Sequence, residues 1–195
     1  RDYSRDTVNG EILGEPAGAN GIRNNTMQGA VVGVVSGVGA FPINWVVNGI
    51  ATSNYEINAI GVDEGFSYIE VRFNGTPTAN ITIQLEGTTE IAAVQNEKWT
   101  SSIYTKMVSG SSANINGERL SHYERNSGGS FLGADQALVT AISSTKTNLA
   151  FTADMDESSA AYVTPVYSIE WTSGAIDITL RIYMPQMEEY HVATS

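Results

Sequence analysis

Tyr68, Arg72, Tyr104, Arg181 and Tyr183 are the side chains whose types and spacing best suit recognition of a polar ligand. Over residues 66–73, Ile69, Val71 and Phe73 share one parity while Tyr68 and Arg72 take the other. Over residues 176–184, Ile176, Ile178, Leu180, Ile182 and Met184 leave Arg181 and Tyr183 on the opposite side. Between residues 98 and 108, Trp99, Ile103 and Met107 oppose Tyr104 and Lys106. Successive side chains of a strand point to opposite faces, so burying the apolar set sends these tyrosines and arginines to a second face. An aromatic ring can lie against the C–H face of a sugar while a guanidinium donates to hydroxyls. The same pattern also describes ordinary cross-strand Tyr–Arg and Tyr–Lys pairing, or a face covered by a neighbouring subunit.

Residues that could carry catalysis are sparse. His122 and His191 have no cysteine and no G-x-S-x-G elbow beside them. A lone histidine among strands is more often a surface or packing residue. Carboxylates pair at Asp63-Glu64, Asp156-Glu157 and Glu188-Glu189. Glycosidic cleavage needs two carboxyls held apart across a cleft, and neighbours on a strand point opposite ways. These read as turn and edge charges, and the chain is expected not to be an enzyme. Asp154-Met155-Asp156-Glu157-Ser158 opens like a calcium loop but lacks the glycine and distal glutamate of an EF-hand. An acidic turn between strands is expected there.

Strands must position these groups. Period-two runs predict strands over residues 54–61, 66–73, 80–85, 98–108, 118–125, 137–142, 148–155, 160–171 and 174–189, separated by Gly, Asn, Asp and Pro turns. Pro165 fits the penultimate run only at an edge or a bulge. One helical turn is expected near residues 91–95, and the glycine-rich segment 30–40 reads as a loop. Trp45, Trp99 and Trp171 read as core or loop anchors. Residues 1–20 form a polar lead-in arm with a short strand at 11–13, and residues 21–195 form the domain. The predicted fold is all-β: a single jelly-roll-like antiparallel β-sandwich whose opening and closing segments lie side by side.

Composition supports this reading. A chain of 195 residues suits one domain. Charged residues make up 16%, against about 25% in typical domains. With ten Lys and Arg, unclustered, and a net charge of −11, the chain lacks the cationic footprint for nucleic acid or an anionic membrane surface. The absence of cysteine removes disulfides and zinc–thiolate sites. No apolar run approaches the ~20 residues of a membrane-spanning helix, so no membrane insertion is expected. The chain starts at Arg1 without an initiator methionine or signal peptide, and is read as a piece of something longer.

Three segments carry a resemblance. NGIRNNTMQGAVVG at residues 20–33 with Phe41-Pro42-Ile43-Asn44-Trp45, FSYIEVRFNGTPTA at 66–79, and AIDITLRIYMPQMEE at 175–189 with Ala193-Thr194-Ser195 resemble a domain of phage and prophage virion proteins. Those proteins are tail-fibre, tailspike and head-spike components, and their domain is similar to the β-sandwich carbohydrate-binding modules of polysaccharide-degrading enzymes. Departures fall at the junctions, Ala19-Asn20-Gly21-Ile22 and Tyr190-His191-Val192, and leave the alternating strands intact. The resemblance implies an extracellular location on the virion surface, other virion proteins as partners, and contact with host cell-surface polysaccharide. With no disulfides present, fibre-like relatives imply a homo-oligomer, a trimer above all. It also implies a structural calcium joining the first and last strands, with Asn24 or Asn25 and Asp177 as ligands, and no other cofactor. Two alternatives stand beside attachment: a structural spacer or oligomerisation domain, and an accessory carbohydrate-binding domain of a secreted polysaccharide-degrading enzyme.

Overall fold

The computed structural model describes residues 19–190, together with a short ladder in the arm between β1 (Thr7–Val8) and β2 (Glu11–Ile12). The described residues are almost entirely strand and turn; a three-residue 3-10 turn, Thr52–Asn54, interrupts them. The strands are β3 (Gly33–Val34), β4 (Val46–Asn48), β5 (Tyr55–Asp63), β6 (Phe66–Gly75), β7 (Ile81–Gln84), β8 (Ile91–Ala92) and β9 (Lys98–Ser111). They continue with β10 (Ile115–Arg125), β11 (Phe131–Gln136), β12 (Thr147–Asp154), β13 (Tyr162–Trp171) and β14 (Ile176–Glu189). One sheet runs β12-β9-β14-β6-β5-β3; the other runs β11-β10-β13-β7-β4, with β8 beside β13. Every described ladder is antiparallel. The fold is the all-β, jelly-roll-like sandwich that the alternation predicts.

The core lies between the sheets. Ile69, Val71 and Phe73 of β6, Ile178, Leu180 and Ile182 of β14, and Ile103 of β9 are fully enclosed, facing Leu120, Ile81, Ile83, Tyr167 and Ile169 of the other sheet. Polar links cross the same interior. Glu118 accepts hydrogen bonds from Thr105 Oγ1 at 2.9 Å and Tyr167 OH at 2.5 Å. Ser101 Oγ lies 2.8 Å from His122 Nε2. Trp45 and Trp99 are buried, and Trp171 packs on the core while its indole N–H donates to Gly174 O at 2.9 Å. The opening and closing segments do meet: Gly21 N donates to Met187 O at 2.7 Å, and the Asn20 amide bonds Pro185 O and Met187 N.

Several expectations are corrected. Residues 91–95 form no helical turn; Ile91 and Ala92 pair with β13, because Ile91 is drawn into the core. The strand expected at 137–142 lies earlier, at β11, and Thr140 makes only an isolated bridge to Glu118. The segment 30–40 contains β3 as well as loop. Met184 is not a core residue: a bulge between Tyr183 and Gln186 shifts the register, leaves Met184 half-buried with φ of 24°, and sends Met187 inward instead. Pro165 sits within a central strand. Its carbonyl accepts from Leu85 N, and N and O of one strand residue point to the same side. The missing N–H therefore falls in the interval between β8, paired at Tyr162 and Val163, and β7, paired from Val166 onward.

Candidate functional site

The outer face of the β9–β14–β6 sheet gathers the aromatic and cationic side chains. Register places Tyr104, Tyr183 and Tyr68 in one cross-strand row, and Lys106, Arg181 and Glu70 in the next. The Tyr68 and Tyr183 rings lie 5.8 Å apart, and Phe66 and Tyr104 5.4 Å. Tyr68 lies over Gly61 of β5, where a Cβ would meet the ring at 3.0 to 3.1 Å, so glycine is what lets the plate lie flat there. Arg181 stacks on Tyr68, 4.2 Å from the ring centroid. It donates to Glu70 at 3.0 and 3.3 Å and to Asp63 at 3.1 Å.

Asp63 and Glu64 reach this face because the β5–β6 hairpin turns on Glu64 and Gly65, both left-handed at φ of 52° and 85°. The Tyr183 hydroxyl donates to Asp63 at 3.0 Å. That hydrogen bond, against opposing burial and with Arg181 assisting, holds the Asp63 carboxyl below its usual range. Burial and the Asp63 contact raise the Tyr183 hydroxyl. Lys146, in the loop just before β12, extends over the row. Its ammonium lies 5.0 Å from the Phe66 ring centroid, 5.5 Å from Tyr183 and 5.9 Å from Tyr104, and it pairs with Glu64, which raises its pKa.

Four of the five expected residues, Tyr68, Tyr104, Arg181 and Tyr183, therefore come together. Arg72 stands apart in the Glu56–Arg72–Thr179 row, where it clasps Asp177 at 2.9 and 3.0 Å and Glu56 at 3.3 Å. Tyr183 does share the outer face, but that face is not open above it: Lys146 and the hairpin turn leave Tyr183 fully buried. Sequence reasoning missed Phe66, Asp63, Glu64 and Lys146 as members. Phe66 carries the parity of Tyr68 and could have been included. Lys146 sits in an irregular loop, where no periodicity indicates what it covers.

The expected calcium ligands are not assembled. Asn20 and Gly21 meet β14 at Pro185 and Met187, roughly 26–33 Å along the strand from Asp177 at about 3.3 Å per residue. Asn25 follows closely on that end, Asn24 is occupied by Gln28 and Ile43, and both Asp177 oxygens are taken by Arg72. The acidic turn instead brings Asp156 to Glu124 and Asp135, with one oxygen of each within 4.8 Å of the others. This is the carboxylate group with metal-ligand spacing among the described residues. Glu124 also accepts from Asp156 N and Glu157 N at 2.9 and 3.0 Å. Burial pushes Glu124 up to about 7 and, with the Asp156 charge, raises Asp135.

The Ser101–His122 hydrogen bond has the form of a nucleophile–base pair, but it is sealed between the sheets and His122 Nδ1 has no hydrogen-bond partner among the described residues. His122 is a packing residue, against Phe151 at 4.9 Å between ring centroids; His191 lies outside the described residues. A groove of about 460 Å³ opens at the sandwich edge between β12 and the β10–β11 pair, with Phe151 as its aromatic wall and Gln136, Thr140 and Asn148 at its polar rim.

No protein-family model and no curated protein sequence matches this chain. Solved structures do. The CBM22-1 xylan-binding domain of Paenibacillus barcinonensis Xyn10C superposes with a TM-score of 0.51 at 14% identity, over 91% of this chain and 98% of that one. The chain shares the fold of carbohydrate-binding-module sandwiches. A cyclase from Fischerella sp. TAU superposes at 0.53 with 12% identity, over 78% of this chain and 87% of that one. The arabinose-bound MgGH51 α-L-arabinofuranosidase gives 0.53 at 13% identity; 90% of this chain is covered, but only 27% of that one. At these identities the likeness is one of fold.

Proposed function

We propose that the chain is a non-enzymatic carbohydrate-binding module on the surface of a phage virion, attaching to host cell-surface polysaccharide through the outer face of β9, β14 and β6. The observation that carries this reading is the convergence of Phe66, Tyr68 and Tyr104, all partly exposed, with Arg181 on one sheet face. Lys106, beside Arg181, makes no ion pair among the described residues and is available to ligand oxygens. The virion setting rests on the sequence resemblance. A shallow, partly covered sheet face buries little of a polar ligand and must replace its hydrogen bonds to water, so single-site affinity is weak and a trimer supplies avidity.

Glycan-array and host-cell binding of the wild type, Tyr68→Ala and Tyr104→Ala test this reading. Each substitution removes a partly exposed ring, so binding falls at least about tenfold while Tm changes by a few degrees at most. Equal binding by both variants rejects the site. Light scattering tests the trimer, which a clean monomer rejects for this part of the polypeptide. A second reading, a spacer or oligomerisation domain, is favoured by the exposed Phe131, Leu138 and Val139 at the β11 edge. It prevails if no polysaccharide binds even to the oligomer. An accessory role in a secreted enzyme would be indicated by a catalytic domain in the full-length protein.

A further inference from the structure

The ammonium of Lys146 sits among three rings supplied by three adjacent strands, Phe66 of β6, Tyr104 of β9 and Tyr183 of β14, with Glu64 as its counter-charge. Ring faces attract cations, and several rings around one ammonium form a recognition site for that group. We propose that this cage is a subsite for a primary ammonium carried by the glycan, a sugar with a free amine, and that Lys146 fills it when ligand is absent. The inference rests on the glycan-binding reading above and narrows its ligand class.

Three observations favour this occupant. The cage already holds an ammonium, so its geometry and charge suit one. Glu64 and Asp63 stand at its rim as acceptors, which a primary ammonium with three N–H donors can use and a quaternary one cannot. The placeholder sits on a polar loop whose Ser144 and Thr145 are exposed; the loop is tied to β9 through Ser143 O and Met107 N, leaving Lys146 a short lever to swing out. A tethered competitor acts at a local concentration on the order of millimolar, so Lys146 weakens any ligand that takes its place.

Calorimetric titration of the wild type and Lys146→Ala with a glucosamine tetrasaccharide and its N-acetylated counterpart, at a pH where the amines are protonated, tests the proposal. The expected result is at least about tenfold tighter binding of the glucosamine oligomer to the variant, with no gain for the N-acetylated one. No gain for the free amine, or an equal gain for both, overturns it. Ethylammonium chloride reads the cage without a sugar: it should raise the Tm of Lys146→Ala saturably, and tetramethylammonium chloride should not. Absence of ethylammonium binding overturns the cage itself. Ethylammonium binding with no saccharide binding overturns the proposal through its glycan premise. Should Lys146→Ala not fold, Glu64→Gln decides: loss of glucosamine binding with the N-acetylated oligomer unaffected supports the subsite, and parallel loss or none rejects it.

Discussion

His122 gives the most quantitative test of the sandwich interior. Its ring is wholly enclosed, its Nε2 is 2.8 Å from Ser101 Oγ, and burial lowers its pKa from 6.5 to about 4. An imidazole that stays neutral when folded but charges when unfolded makes the unfolded chain the better proton binder below the ordinary value. The stability it contributes is therefore complete above pH 6.5 and is lost as pH falls towards 4. Between pH 7.5 and 4.5 the loss is about 2.5 kcal/mol at about 1.4 kcal/mol per pH unit. His122→Phe keeps a ring against Phe151 and removes the titration, but leaves the Ser101 hydroxyl unpaired, at a cost of about 1–3 kcal/mol. Glu124, two residues on, and Asp135, opposite His122 in the β10–β11 ladder, titrate in both proteins and cancel in the comparison to first order. The variant should thus melt several degrees below the wild type at pH 7.5. That deficit should shrink by about 5–10 °C at pH 4.5, at about 2–4 °C per kcal/mol for a chain of this size. Thermal melts at the two pH values measure it. A deficit that is the same at both would refute the argument and place His122 in contact with water.

Two further perturbations probe other parts of the fold. Burial raises Glu124 to about 7 and raises Asp135, so the stability they hold as protonated groups is present below their ordinary range and is lost as pH rises through the raised values. Asp135→Asn removes a neighbouring charge and should reduce the stability lost between pH 5 and 8 by about 1 kcal/mol; urea melts showing an equal or larger loss would contradict this. Leu180→Asp places a charge at a fully enclosed position between Val71 of β6 and Met107 of β9. It should cost more than about 4 kcal/mol or prevent folding, and a wild-type melting curve would show that the wrong face of β14 had been called buried.

The long strands were legible because their side-chain period is two and one face is buried, so β6, β9 and β14 announce themselves through Ile, Val, Leu and Trp. What failed was short or interrupted. β8 is two residues long, and nothing local distinguishes Ile91-Ala92 from the start of a helical turn; its pairing with β13 is a long-range fact. β11, with Gly133 and Asp135 in place of apolar alternation, is an edge strand and presents little hydrophobic signal. The bulge that turns Met184 aside and Met187 inward breaks the parity that Ile176 to Met184 set up. The expected calcium ligands Asn25 and Asp177 lie apart for a different reason. A shared site required the opening segment to meet the start of β14, and the hydrogen bonds of Asn20 and Gly21 fall near its other end.

Parity also explains why four of the five candidate side chains share a face while the covering of that face was misjudged. It assigns side chains to faces and is silent about what crosses those faces. Tyr68, Tyr104, Arg181 and Tyr183 were placed on one side correctly, yet the hairpin turn at Glu64-Gly65 and the loop carrying Lys146 belong to no periodic run, and these cover the row. The consequence is energetic. Arg181 is held by Glu70 and Asp63, and Lys146 by Glu64, so the face carries its own counter-charges, as an acidic chain with few cations must arrange if those cations are to sit over rings. A ligand approaching such a surface meets groups already paired and gains only what it offers beyond those pairs. On the glycan-binding reading proposed above, neutral sugars would use the partly exposed edges of Phe66, Tyr68 and Tyr104 and Lys106, which makes no ion pair among the described residues, and contact would be weak and multivalent. A ligand that brings its own ammonium can instead exchange with Lys146 and retain both the ring contacts and the Glu64 charge. Selectivity for amine-bearing over N-acetylated saccharides is thus the property that separates recognition by this face from incidental stacking on its tyrosines.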